Sequence, residues 1–313
     1  MTAMTETYRG GVRSVRIGGL EFGGGGAFPL HAFDGELPCP PRICMEMWDT
    51  VPDDWSPELV DVFGDVWSDP VAWASRLEES GADALYVRLR SADPHGESRP
   101  VTEVVERARR IVEAVTIPCL IIGCGDPDTD LRLMPAVAEA LSGHRVAVGN
   151  AESDTYQEIG RGTKENGQVV IAYTPMDVSL AKQLNVLLAQ SGIADTDVVM
   201  DPTCSALGYS FEYAYTVFER DRLAALVQND AKMQAPLLAT VGQETWHVKE
   251  SRAGDDELPG YGSRYARGIL WESVTAVGLI LAGADAVVVR HPDSARLIRQ
   301  AVTALSDGSD SWR

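Results

Sequence analysis

The chain has 313 residues, 27 of them Lys or Arg and 46 Asp or Glu, which gives a formal charge of −19. So large an acidic excess argues against nucleic acid or an anionic membrane as a partner, because both would repel it. With 45% hydrophobic and 23% charged residues the composition is that of an ordinary globular chain, and no apolar run reads as the roughly 20 residues needed to cross a bilayer.

In chain order, residues 1–19 lack the apolar core of a secretory signal, so the expected location is cytoplasmic. Residues 1–41 read as an N-terminal extension, with a small hairpin over 14–22 followed by a loop. Four glycines at 23–26 follow, but no GK[ST] step and no helix start accompany them, so they read as a connector and not as a phosphate cradle.

From residue 42 to 313 one event repeats: a short apolar run, a polar or glycine-rich loop, then an amphipathic stretch. The predicted strands are 43–47, 84–89, 119–122, 146–149, 169–173, 198–200, 237–241 and 286–289. The predicted helices are 70–80, 101–114, 131–141, 178–191, 212–226, 264–281 and 294–305, with a weaker pattern over 156–166. Continuously apolar strands imply burial on both faces, and eight such units suit a single-domain (β/α)8 TIM barrel, an open doubly wound sheet being the alternative. Gly81-Ala82-Asp83-Ala84 and Gly283-Ala284-Asp285-Ala286 enter the second and eighth strands by the same turn, which supports one continuous barrel.

Five scattered cysteines (39, 44, 119, 124, 204) without a CxxC pair indicate neither a disulfide framework nor a zinc ribbon. Gly123-Cys124-Gly125 resembles the start of a dinucleotide fingerprint, but Asp128 stands where its third glycine belongs. No HExxH or GxSxG occurs, and the SxxK at Ser179–Lys182 falls inside a predicted helix. No catalytic or metal-ligating residue is assigned.

In a barrel the chemistry gathers at the carboxyl ends of the strands. Those positions carry Glu46 and Asp49, Arg88 and Arg90, Cys124 and Asp126, Asn150 and Glu152, Thr174 and Asp177, Asp201 and Thr203, Glu244 and Trp246, and Arg290 and His291. Asp126, Asp177 and Asp293 are equally placed to cap helix starts. The most unusual step is Asp201-Pro202-Thr203, where proline forces the chain out of the strand. Pterin-binding barrels have a comparable Asp-Pro step, and the same residues also suit a rigid turn without a ligand.

Several segments carry a resemblance in order along the chain. They are Gly18-Gly19 with FPLHAFDGELPCPP (28–41), FGDVWSDPVAWA (63–74), IIGCGD (121–126), DVSLAKQLN (177–185), VMDPTCSALGYSFEY (199–213), VGQETW (241–246), RGILWE (267–272) and GADAVVVRHP (283–292). On these the chain resembles the small subunits of corrinoid/iron-sulfur proteins, the delta subunits of acetyl-CoA decarbonylase/synthase. The resemblance implies a TIM barrel related to pterin-binding methyltransferases. It also implies a heterodimer with a large subunit that carries the [4Fe-4S] cluster, so that no cluster is expected on this chain, and a corrinoid (cobalamin) shared with that subunit. The corrinoid would take a methyl group from a methylated pterin, delivered by a methyltetrahydrofolate methyltransferase, and pass it to acetyl-CoA synthase. On that reading the chain is a component of a methyl-transferring complex, and Asn150, Thr174, Asp201, Thr203, Glu244, Trp246 and His291 are the mouth residues expected to face the cofactor. Gly149-Asn150-Ala151-Glu152 departs from the Gly-Pro-Ala-Glu of the family, and Cys204-Ser205 from its Thr-Gly. These departures keep open a chain that serves a different corrinoid protein or a self-sufficient methyltetrahydrofolate-binding corrinoid methyltransferase; a scaffold barrel without any small-molecule ligand is a separate alternative.

Overall fold

The computed structural model describes residues 6–31 and 34–306. Ala32 and Phe33 of the 28–41 stretch, the first five residues and 307–313 lie outside the described residues. The chain opens with an antiparallel hairpin, β1 (Ser14–Ile17) and β2 (Leu20–Gly23), in which Val15 opposes Phe22. Gly18 turns it with φ +54°, a backbone that side chains rarely adopt.

The units of the barrel follow. They are β3 (Arg42–Trp48) with α1 (Pro57–Phe63) and α2 (Pro70–Glu79), β4 (Ala84–Arg88) with α3 (Val101–Ala114), β5 (Cys119–Ile122) with α4 (Pro127–Ala140), and β6 (Ala147–Ala151) with α5 (Tyr156–Glu165). Then come β7 (Val169–Tyr173) with α6 (Val178–Gln190), β8 (Val198–Asp201) with α7 (Phe211–Leu226), β9 (Leu238–Ala239) with α8 (Val241–Thr245), α9 (Lys249–Arg252) and α10 (Arg264–Ala282), and β10 (Ala286–Val289) with α11 (Pro292–Ser306). The eight strands run β8-β7-β6-β5-β4-β3-β10-β9, with parallel pairing throughout. A single parallel bridge from Met200 to Leu237 joins the two ends and closes the barrel.

All eight predicted strands are present, and the differences lie at their edges. Val241 begins a helix, so the seventh barrel strand shortens to two residues. Helix α4 starts at Pro127, four residues before its predicted start, because Asp126 accepts from the Thr129 amide (2.8 Å) and proline suits the first turn. Asp177 likewise caps α6 through the amides of Ser179 and Leu180. Asp293 does not cap its helix. It is the second residue of α11, and its amide donates to Nδ1 of His291 (3.0 Å), which takes the capping role.

Alternation along the strands divides the apolar residues into two sets. Ile43, Met45, Leu85, Val87 and Ile121 face the helices, while Cys44, Ala84, Leu120, Ile171 and Val288 face the bore. The hairpin contributes Val15, Ile17 and Phe22 to the bore set, so it plugs the amino end of the barrel. Helix α10 is long and apolar enough to cross a membrane by length and composition, but it is an outer-layer helix packed against α7, α9 and α11. That burial explains its apolar sequence.

Candidate functional site at the carboxyl end of the bore

At the carboxyl end the inward positions change character. Cys44 is followed two residues on by Glu46, Ala84 by Tyr86 and then Arg88, Val199 by Asp201, and Val288 by Arg290. Glu46 is held by Arg290 in a two-point ion pair (Nε–Oε2 2.9 Å, Nη2–Oε1 3.0 Å) and accepts from the Trp48 indole (2.9 Å). Burial pushes the Glu46 carboxyl up, but Arg290, with Arg88 and Trp48, outweighs it and holds the group below its usual range. The Arg290 guanidinium also lies over the ring of Trp55, 4.6 Å from its centroid. Arg88 reaches across the mouth to donate to the Gln243 side-chain carbonyl oxygen (2.6 Å), while its Nε is buried without a partner.

The Asp201-Pro202-Thr203 step behaves as a constrained turn. The Thr174 amide donates to the carbonyl of Asp201 and the Met176 amide to that of Pro202, both at 3.0 Å, and Thr203 adopts φ +53°. Oδ1 of Asp201 accepts from the Thr203 amide (2.8 Å), and Oδ2 is buried with no partner. Burial pushes this carboxyl up to about 7, against the opposing pull of the Thr203 amide and Arg88. The hydroxyl oxygen of Thr174 is a further buried atom without a partner.

Asn150 belongs to a neighbouring feature. It lies on β6, and with Arg88, Gly123, Gly125, Asp130 and Thr155 it lines a cleft of about 90 Å³ between the ends of β4, β5 and β6. Its Oδ1 is buried and unpartnered. Arg88 therefore touches both features: it lines the Asn150 cleft and acts electrostatically on Asp201.

Of the residues expected to face a cofactor, Thr174, Asp201 and Thr203 come together at the carboxyl ends of β7 and β8, and Asn150 stands one strand further round. The other three do different work. Trp246 stacks on His291 (centroids 6.0 Å apart, planes at 25°) and covers Gly268, where an added Cβ would lie 2.5 Å from the indole. His291 is buried, and burial lowers its pKa to about 4, so the ring is neutral and its Nδ1 is free to accept from the α11 amide. Glu244 is half-buried at the rim, its carboxyl raised by burial. Beneath this group, Glu272 accepts from the amides of Arg290 (2.6 Å) and His291 (3.2 Å), and burial pushes it up to about 7.

The mouth residues that sequence reasoning did not select to face a cofactor are Glu46, Tyr86, Arg88, Tyr173 and Arg290. A signal was present for the charged ones: ICMEM, LYVRL and VVVRH each place one charge in or at the end of an otherwise apolar strand. A charge in a strand covered on both faces must find a partner or a ligand. Among the described residues no group of three or more His, Cys, Asp or Glu is arranged to hold a metal ion.

Residues 15–298 match the family model of the CO dehydrogenase/acetyl-CoA synthase delta subunit. The acetyl-CoA decarbonylase/synthase complex subunit delta of Methanopyrus kandleri is 34% identical over 311 residues, covering 96% of this chain and 76% of that protein. Its counterpart from Methanothermobacter thermautotrophicus is 32% identical over 302 residues, covering 94% and 76%. Among solved structures, dihydropteroate synthase from Yersinia pestis superposes with a TM-score of 0.61 at 16% identity, over 95% of this chain and all of that one. The enzyme from Xanthomonas albilineans gives 0.57 at 15%, over 96% and 99%. These structural likenesses establish the barrel fold. The chain belongs to the CO dehydrogenase/acetyl-CoA synthase delta-subunit family.

Proposed function

We propose that this chain acts as the delta subunit of an acetyl-CoA decarbonylase/synthase assembly, in which the carboxyl end of its barrel covers a corrinoid held by a large, cluster-bearing subunit. The observation that carries the reading is the gathering of orphaned buried polar atoms at one end of the bore: Oδ2 of Asp201, Oδ1 of Asn150 and Nε of Arg88. Buried polar atoms are normally paired, and these orphans, with the Thr174 hydroxyl beside them, fit the amide-rich, hydrogen-bonding periphery of a corrinoid.

The cobalt of a bound corrinoid would supply the methyl-accepting and methyl-donating chemistry. The chain's own residues supply position and a dry surface. The Glu46–Arg290 pair keeps the floor of the mouth rigid and locally neutral, since each charge is cancelled at hydrogen-bond distance. Pro202 and the two backbone bonds from the loop after β7 aim Asp201, and a carboxyl held near neutrality can donate or accept without carrying a fixed charge under the cofactor. Trp246 and His291 brace β10 from outside the bore.

Co-expression with the large corrinoid subunit tests this. The expected result is a stable complex whose corrinoid absorbance changes when this chain binds, and a smaller change with Asp201→Ala. A large subunit whose spectrum and methyl-transfer rate ignore this chain would overturn the reading. A second reading, a pterin bound directly in the mouth, is favoured by one specific feature, the unpartnered Asp201 oxygen, which could pair with the edge of a pterin. Titration of the purified chain with methyltetrahydrofolate separates the two: micromolar binding without any corrinoid partner supports the pterin, and its absence the covering role.

A further inference from the structure

We propose that the cleft between the ends of β4, β5 and β6 is a receptor for one primary carboxamide group. Its polar lining has two unlike faces. On one side Arg88 offers only donors: its Nε has no partner, and its Nη2 lies 4.0 Å from where a Cβ on Gly125 would stand. On the other side Oδ1 of Asn150 is a buried acceptor without a donor. Glu152, Asp154 and Thr155 also line the cleft, Thr155 accepting from the Glu152 amide (2.9 Å), whereas Asp130 is already used, because Oδ1 accepts from the Cys124 amide (2.8 Å) and Oδ2 from the Gly125 amide (2.9 Å). It therefore shapes the β5 loop and leaves Arg88 and Asn150 to meet a ligand.

Charge and hydrogen-bond count then select the ligand. A carboxylate would satisfy Arg88, but it would bring no hydrogen to Asn150 and would lie beside Asp130, Glu152 and Asp154. The carboxyls of Asp130 and Glu152 are both already raised by burial, so another anion is unwelcome there. An ammonium would suit Asn150 and the neighbouring carboxyls, but it carries donors only and leaves Arg88 without an acceptor. A primary carboxamide carries an acceptor oxygen and a two-hydrogen donor on one carbon, and it meets both faces without net charge. Size agrees: a cavity of roughly 150 Å³ accepts one benzene, so about 90 Å³ suits a group of three or four heavy atoms. Gly125, at φ +97°, leaves the entrance free of a side chain.

The last step rests on the corrinoid reading above: a corrin ring is fringed with acetamide and propionamide arms, and one such arm is the natural occupant. Docking an arm here would fix the rotation of the macrocycle over the Glu46–Arg290 floor, which a contact with the ring face alone would leave undetermined.

The test uses ¹H–¹⁵N spectra of the full chain titrated with acetamide, acetate and methyl acetate. Acetamide should move the Gly125 amide and the Asn150 side-chain signals saturably, and the other two should not. Asn150→Leu, nearly the same size, removes the acceptor and should weaken acetamide binding about tenfold or more, the loss expected when the carboxamide donor is left unpaired. Equal response to acetate, or no saturable shift at Gly125, would overturn the receptor. A parallel absorbance titration with dicyanocobinamide and with its ester-capped analogue, heptamethyl cobyrinate, keeps the two ideas apart. Acetamide binding without cobinamide binding leaves the receptor standing and removes the corrinoid as occupant. Equal affinity for the amide and ester macrocycles, with no response to acetamide, keeps the corrinoid reading and removes the receptor.

Discussion

The two ends of the bore are built from the same eight strands by the same alternation, and they differ in nearly everything else. At the amino end Cys44, Ala84, Ala147, Val169, Leu238 and Ala286 meet Val15, Ile17 and Phe22 of the hairpin in a sealed apolar cluster. At the carboxyl end, a step or two along the same strands, stand Glu46, Arg88, Asp201 and Arg290. Burying apolar surface stabilises the fold directly, whereas burying charges costs desolvation that pairing only offsets. The amino end therefore holds the barrel together, and the carboxyl end carries a cost that stability alone does not explain. The contrast itself marks the carboxyl end as the site.

The hardest way to break this comparison is at the Glu46–Arg290 pair. Arg290→Ala leaves a buried carboxylate without its counter-charge, and the expected loss is about 3–5 kcal/mol in denaturant unfolding. Replacing both residues by apolar groups of similar volume, Glu46→Met with Arg290→Met, should recover most of that stability while corrinoid-linked spectral changes remain lost. A double variant that regains stability and full function together would show that the charged floor has no role beyond its own pairing.

Phe22→Ala examines the other end. The ring is buried in the plug, so its removal should cost about 3–4 kcal/mol through lost transfer energy and a cavity. Because the change is at the opposite end of the bore, ligand affinity at the mouth, measured well below the new midpoint, should stay within about twofold of the parent, less than the half-kcal/mol scatter expected between distant, independent positions. A large loss of affinity would mean that the two ends are coupled and do not divide the work of stability and binding.

The same contrast explains what the sequence made legible. Apolar runs closed by turns reported the strands, and the repeated Gly-Ala-Asp-Ala step reported that the second and eighth are entered alike, because both signals are local. The Asp201-Pro202 step stood out for the same reason. The inward or outward sense of each strand residue is set by a twist and closure that involve all eight strands, so a doubly buried strand such as Ala286–Val289 looks uniform in sequence. That is why Arg88 and Arg290 read as strand-end residues instead of bore residues. Trp246 and His291 show the converse, since both follow barrel strands in the sequence and neither faces the bore. Gly268 lies on α10, and its missing side chain makes room for the Trp246 indole, which packs against the helix layer with His291 stacked on it. No local pattern near residue 246 reports that distant glycine.

The smallest expected effect, and the one that sharpens the comparison most, is the pH dependence of Asp201→Asn. The Asp201 carboxyl is pushed up to about 7 in the folded chain by burial, from an ordinary value of 3.8. Between those values the folded state holds a proton that the unfolded state has released, so stability falls as pH rises from about 4 to about 7 and levels off above. Asparagine keeps the size and removes the titration. At pH 8 the variant should be more stable than the parent by on the order of 2 kcal/mol, less than the full shift implies because Arg88 loses a nearby counter-charge. At about pH 4, where the parent carboxyl is itself neutral, the gain should vanish. Residues of the plug cannot behave this way, since none of Val15, Ile17 and Phe22 titrates. Denaturant unfolding of both chains at the acidic and the alkaline pH reads the difference directly. A gain that is equal at both would mean that Asp201 is not held near neutrality. A variant that is more stable in alkali and also loses its effect on the corrinoid spectrum is the expected outcome, because a residue kept at a cost to the fold is one whose unpaired oxygen is reserved for something outside it.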